Sequence, residues 1–366
     1  MSKPMRLLID AHVFDGKFQG TRTYLQGLYS CLIQNQDIEF YFAAYNINNL
    51  QNIFGTHNNV HYIPLKTQNS FLRLGIEFNK IIEKYKIDYA HFQYISPLIK
   101  KCKEIVTTHD ILFLDYPQYF SKVYRLKNNF LFKRSAQRAD ILLTVSEYSR
   151  KAISQHYSIP IERIHVTPNG VLLPTNDCEL PDTNKIYHLN KYILSVSRIE
   201  PRKNYLSLLI AYKELKLYDK GYKLVIIGSK DLNYKEFVSY YNQLDTNIKN
   251  NILCFSASYL ELISLYKNAD LFIFPSYAEG FGIPPLEAIA LGCPTLCSNT
   301  TAMADFDFLN ENLFSPFDIK ELKKKIINNL ESRNYEKTIA MKEKVLNKYN
   351  WQKSANIFYS VLMQTK

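Results

Sequence analysis

Two glutamates eight positions apart, Glu279 and Glu287, flank the proline pair Pro284 and Pro285. An apolar run over 271–275 precedes them, then a loop with Gly280 and Gly282, then a helical pattern. The prolines suit a first helical turn, where their missing N–H groups would have had no partner. Glu287 then falls just inside the helix start, its carboxylate held by the positive helix end and within reach of a neighbouring diol. Glu279 stays in the loop with Phe281 and Gly282, whose bare N–H groups suit a phosphate or sugar oxygen. A second constellation, Arg198-Ile199-Glu200-Pro201-Arg202-Lys203-Asn204, follows another apolar run and leads into a helical pattern. Arg198 and Lys203 are placed to bring two fixed positive charges to one point at a helix N-terminus, as stabilising a departing diphosphate requires, with no metal needed to neutralise it. A third, Val106-Thr107-Thr108-His109-Asp110, puts a histidine at a strand end. Taken singly, the three also fit a helix cap beside a surface glutamate, a solvated charge cluster and a packed histidine.

Chemistry in loops that directly follow strands asks for parallel sheets, and the chain reads as two α/β series of them. Candidate strands of the first lie at 6–10, 39–44, 60–64, 89–92, 104–108, 140–145 and 164–168, with helical patterns at 23–34 and 120–139. The second series has strands at 192–196, 223–227, 252–255, 271–275 and 295–298. Between them, residues 174–185 are polar and bracketed by prolines, which reads as a linker. The expected division is a first domain at 1–178, a second at 187–350 and a terminal helix at 351–366. Open parallel sheets bind ligands at the carboxyl ends of their strands, so a cleft between the two is expected.

The chain has 366 residues, enough for two domains, and 46% hydrophobic with 22% charged residues is ordinary globular usage. The 45 Lys and Arg against 34 Asp and Glu give +11, which suits anionic partners. The excess is spread evenly, without a basic tail or basic-aromatic ladder, which argues against nucleic acid. The six cysteines are scattered, mostly inside apolar runs, and read as free thiols in a reducing compartment; Cys293 and Cys297 lack a second pair or nearby His for a metal site. The N-terminal apolar stretch is too short for a signal peptide and no window suits a membrane span, so a cytoplasmic protein is expected.

The segments Glu279-Gly280-Phe281-Gly282-Ile283-Pro284-Pro285-Leu286-Glu287-Ala288 and Arg198 to Asn204 together resemble the donor-site motifs of the large retaining glycosyltransferase family 4, of the GT-B fold. That fold has two Rossmann-like domains with parallel sheets facing a central cleft. The likeness extends to Ile164-His165-Val166-Thr167-Pro168-Asn169-Gly170, similar to the family's last N-domain strand and loop. It extends also to Tyr349-Asn350-Trp351, similar to its returning C-terminal helix. The resemblance implies that Arg198 and Lys203 bind the donor diphosphate, Glu279 the transferred sugar and Glu287 the ribose hydroxyls. The backbone at Phe281, Gly282 and Ile283 would line sugar and phosphates, and His109 would position the sugar and polarise the reacting centre. Phe18-Gln19-Gly20-Thr21-Arg22-Thr23-Tyr24 corresponds to the family's loop after the first strand. Gly20, Thr21, Asn169, Gly228, Phe255 and Ser256 complete the implied donor contacts.

The expected activity is metal-independent, retaining transfer of a hexose from a nucleotide diphosphate sugar, with no cofactor. GDP-mannose is favoured because Gly20 to Tyr24 resembles mannosyltransferase members, with UDP-hexoses close behind. The expected acceptor is a glycan or lipid-linked oligosaccharide of bacterial surface polysaccharide synthesis. The basic-aromatic stretch 120–138 and the mixed stretch 71–80 suit peripheral contact with an anionic membrane at its inner face, or ordinary packing. Three rivals stand beside this reading: a metal-dependent transferase using the Asp305/Asp307 pair, a basic nucleic-acid-binding protein without enzymatic activity, and a catalytically inactive relative retained as a subunit, against which the intact His109, Arg198, Lys203 and Glu279 argue.

Overall fold

Uninterrupted apolar runs such as Leu7-Leu8-Ile9 and Leu271-Phe272-Ile273 have no exposed surface, as strands of a parallel sheet covered on both faces must. The computed structural model describes residues 3–16, 19–174, 178–228, 234–332 and 334–365, with Tyr335 by its backbone alone. In order, the first strands are β1 (Met5–Asp10), β2 (Ile38–Ala44), β3 (Val60–Pro64), β4 (Tyr89–Gln93), β5 (Lys103–Thr107), β6 (Ile141–Thr144) and β7 (Ile164–Val166). They form one sheet in the order β3-β2-β1-β4-β5-β6-β7, parallel throughout. The second set is β8 (Lys191–Val196), β9 (Tyr222–Ile227), β10 (Ile252–Phe255), β11 (Leu271–Phe274), β12 (Thr295–Ser298) and β13 (Leu313–Phe314). Its order is β10-β9-β8-β11-β12-β13, again parallel. Both orders reverse direction beside their first strand. At such a switch point the helices that follow β1 and β4, or β8 and β11, go to opposite faces of the sheet, and in open parallel sheets ligands bind there, at the carboxyl ends of the strands.

The chain divides into one unit of Met1–Gly170 with Asn350–Lys366 and another of Val171–Tyr349. The boundary falls at 170 rather than 178 because Val171 donates its N–H to the Tyr349 carbonyl (3.2 Å) and the Leu172 carbonyl accepts from the Tyr259 hydroxyl (3.3 Å). The stretch read as a linker also ends in structure. Asp182 caps a short helix, Thr183–Ile186, and the buried Thr183 hydroxyl meets Ser264 at 2.9 Å; residues 175–177 lie outside the described residues. The helix Trp351–Gln364 completes the first unit. Its Trp351 ring occupies the place where a Cβ on Gly27 would come within 2.1 Å, and its backbone N lies 2.6 Å from a Cβ built on Gly170. Glycine at both positions admits the indole.

Candidate active site

In the second unit β8 and β11 are neighbours, so the loops leaving them are brought together. After β8 the chain makes the turn Pro201–Lys203, passes Asn204 in the left-handed region (φ 55°) and enters the helix Tyr205–Glu214. After β11 the loop carries Glu279 and ends at Gly282, φ 97°, where the helix Ile283–Ala290 starts. Lys203 Nζ lies 2.6 Å from Glu279 Oε1, and Arg202 donates to Oε2 at 2.9 Å and to the Ala278 carbonyl at 2.5 Å. Arg202 also meets Glu200 (2.8 Å), which reaches Arg198 at 3.5 Å. Three cations less two carboxylates leave this chain of ion pairs with one net positive charge. Thr301 accepts the Glu279 N–H at 2.9 Å and so pins the loop.

Burial works to raise the Glu279 carboxyl, but Lys203 and Arg202 outweigh it and hold it at about 2. Burial pushes the Lys203 ammonium down, against the pull of Glu279. The converging cations are thus Arg202 and Lys203 rather than Arg198 and Lys203. The Arg198 side chain is 70% exposed and touches the centre only through Glu200. Glu287 differs from expectation too: it is the fifth residue of its helix, and the first turn holds no acidic residue. Its partner is the Tyr266 hydroxyl at 3.1 Å, and burial pushes its carboxyl up to about 7 despite that hydrogen bond.

Around this centre, Gly228 has φ 155° and a Cβ there would lie 2.0 Å from the Ser197 carbonyl oxygen, so only glycine lets the loops after β8 and β9 meet. The Phe255 ring packs on Tyr187 at 4.2 Å, and Ser256 is exposed. The Phe281 ring is buried edge-on against Phe306 and Tyr349, which leaves its backbone for a ligand; Ile283 is the first helical residue. Asp307 pairs with Lys348 at 3.2 Å, and Lys348 also donates to the Asp305 carbonyl at 3.4 Å. No group of three or more metal-ligating side chains occurs among the described residues, and no helix among them is long and apolar enough to cross a membrane.

In the first unit, Gly20 and Thr21 open the helix Gly20–Leu32, which starts three residues before the expected 23. Among the described residues no atom crowds a Cβ at Gly20; Phe18 lies outside the described residues. His109 follows β5, buried, with Nε2 2.8 Å from Gln93 Oε1. Gln93 Nε2 faces His91 Nε2 at 3.2 Å, and His91 Nδ1 meets the Tyr29 hydroxyl at 2.6 Å. Since Gln93 Oε1 only accepts and its Nε2 only donates, His109 carries its proton on Nε2 and His91 on Nδ1. Burial lowers both imidazoles to about 3, so they are neutral. Tyr24 stands edge-on to His109 at 5.0 Å. Asn169 is buried with an Oδ1 that has no hydrogen-bond partner among the described residues.

Two family models match the chain. "Glycosyltransferase Family 4" takes in residues 19–173, and "Glycosyl transferases group 1" residues 178–345. The chain belongs to the family 4 glycosyltransferases. The chain is 30% identical over 231 residues to O-antigen chain mannosyltransferase B of Escherichia coli, covering 60% of each chain. It is 32% identical over 208 residues to O-antigen chain mannosyltransferase RfbU of Salmonella typhimurium, over 56% of its own length and 53% of that relative. The matched stretch thus spans little more than half the length of these curated relatives. The crystal structure of Anabaena Alr3699/HepE in complex with UDP and glucose superposes with a TM-score of 0.73 at 17% identity, over 98% of this chain and 100% of that one. The fold is GT-B.

Three groups that hold the candidate site in shape escaped the motif reading: Arg202, Tyr266 and Gln93. Arg202 sits beside Lys203 in the quoted run, but adjacent side chains of a turn give no spacing by which to choose between them. Tyr266 lies on the helix Tyr259–Asn268, remote in sequence from Glu287. Gln93, a polar residue closing an apolar strand, is the one signal the sequence does carry.

Proposed function

We propose that this glycosyltransferase moves a hexose, mannose before others, from a nucleotide diphosphate sugar to a hydroxyl of a glycan or lipid-linked oligosaccharide, with retention at the anomeric carbon. The observation that carries this reading is the Lys203–Glu279 pair, buttressed by Arg202, at the carboxyl ends of β8 and β11. An ammonium held by a carboxylate can exchange it for a phosphate oxygen, while Arg202 keeps Glu279 in place for the sugar hydroxyls. Arg198, exposed beside Glu200, supplies the second charge to the diphosphate without a divalent ion. Glu287 receives the ribose diol. Neutral His109, with Nε2 committed to Gln93, presents Nδ1 as an acceptor to the sugar; an imidazole held at about 3 is too weak a base to take the acceptor's proton. The departing phosphate takes it instead, which accords with retention. The mannosyl preference rests on the names of the two O-antigen relatives and the acceptor class on the same names.

Thermal shift with GDP, UDP, GDP-mannose and UDP-glucose under excess chelator tests the donor, since a ligand of the native state raises apparent stability. Transfer of labelled sugar to lipid-linked glycans tests the rest. The expected result is stabilisation by the diphosphates, strongest with guanine, lost in Lys203→Ala. Normal transfer by Lys203→Ala or Glu279→Ala would overturn the assignment, and loss of transfer under chelator would turn attention to Asp305 and Asp307.

A further inference from the structure

Two segments of the first unit turn apolar side chains outward. In the helix Lys122–Arg138 the buried residues are Phe132, Ser135 and Ala136, while Val123 (77% exposed), Leu126 (75%) and Phe130 (68%) stand in solvent. Steps of three and four residues place these three on one helical face. Lys127 lies over the Phe71 ring, 5.5 Å from its centroid, which sets this helix beside the segment where Phe71, Leu72 and Ile76 are also exposed. The helix carries six basic residues and no acidic one. Arg134 and Arg138 bond the carbonyls of Pro97 and Leu98, neutral acceptors that leave their charge in place. Beside the first turns opens a hollow of about 310 Å³ whose lining joins Phe113, Leu114, Pro117 and Leu126 to Lys122 and Arg125.

We propose that this face docks the chain on an anionic lipid bilayer, its apolar side chains entering the interface between headgroups and acyl chains and its basic side chains meeting the lipid phosphates. Four of the six outward apolar residues are aliphatic and offer no ring for a base to stack on, so nucleic acid fits the charge but not the apolar stripe. A second copy using the same face about a two-fold axis would set like charges against each other. The surface uses no residue of the proposed donor site and does not depend on that reading.

The test is sedimentation of the full chain with vesicles of phosphatidylcholine alone or mixed equally with phosphatidylglycerol. Binding is expected only to the anionic vesicles, weakening as salt is added. Lys122→Gln with Lys127→Gln should reduce partitioning about 25-fold, at about 5-fold per lysine. Leu126→Asp with Phe130→Asp should abolish it. All four side chains are exposed, so both double variants should keep the wild-type melting temperature and its response to nucleotide. An absent nucleotide response in the wild type would count against the transfer reading alone. No sedimentation of the wild type at low salt, or undiminished sedimentation of Leu126→Asp with Phe130→Asp, would overturn the docking surface. So would a dimer in light scattering that this variant dissolves without any vesicle binding.

Discussion

Replacing Glu279 by Gln keeps the shape of the side chain and removes the one charge that Lys203 and Arg202 share. The folded carboxyl ionises at about 2 and the unfolded one at its ordinary 4.5, a gap worth about 3 kcal/mol at neutral pH. Because the folded value is the lower one, this stability is complete above about pH 5 and drains away as pH falls towards 2; roughly two fifths remains at pH 3. The variant also leaves Lys203 buried without its counter-ion and Arg202 with Glu200 alone, a loss of the same order. For a unit of this size about 3 kcal/mol corresponds to a melting temperature lowered by roughly 6–12 °C. Calorimetry of wild type and Glu279→Gln at pH 7 and pH 3 should show the full deficit at the first and less than half of it at the second. Adding Lys203→Met to Glu279→Gln should cost less than the two single changes summed, because the pair is coupled. A deficit equal at both pH values, or additive costs in the double variant, would refute the claim that these charges are paired as described.

Glu287 runs the other way: its folded carboxyl titrates at about 7, above the ordinary 4.5, so stability present below pH 4.5 is lost as pH rises from there through 7. Glu287→Gln should therefore melt higher than wild type at pH 8 while binding nucleoside diphosphates at least about 10-fold more weakly, as calorimetric titration would show. Gly228→Ala forces a Cβ to 2.0 Å from the Ser197 carbonyl and should destabilise by about 1–3 kcal/mol in urea unfolding. His91 and His109 are held neutral at about 3 against an ordinary 6.5, so the first unit loses stability as pH drops below 6.5. Fluorescence of Trp351, the chain's one tryptophan, should report that acid transition, displaced to lower pH in His109→Gln.

The strands were legible almost residue by residue because a strand covered on both faces tends to be an unbroken apolar run; β11, Leu271-Phe272-Ile273-Phe274, is such a run. β13 was not, since two residues, Leu313 and Phe314, paired to Cys297 and Ser298, are too few to show a pattern. The misplaced boundary has a similar cause: Val171 and Leu172 are anchored by backbone atoms, which side-chain patterning does not register. Lys203 and Glu279 were legible as a motif, but their partnership with Arg202, and the exile of Arg198 to solvent, depend on how the Pro201–Lys203 turn aims its side chains. Glu287 was expected to be governed by its helix end, whereas one more residue of helix carried it past that influence and into a buried setting beside Tyr266.

The helix Trp351–Gln364 has a bearing on how the polypeptide comes off the ribosome. Its Phe358 stacks on His91 and meets Tyr29, and Trp351 fills the space that Gly27 and Gly170 leave. A nascent chain that has emitted all of Met1–Gly170 still lacks these side chains, so seven strands wait with one helical face uncovered while the whole of Val171–Tyr349 is synthesised and free to fold. The half translated first is the half completed last, and a premature stop near residue 350 would strand an otherwise finished sheet without its final cover.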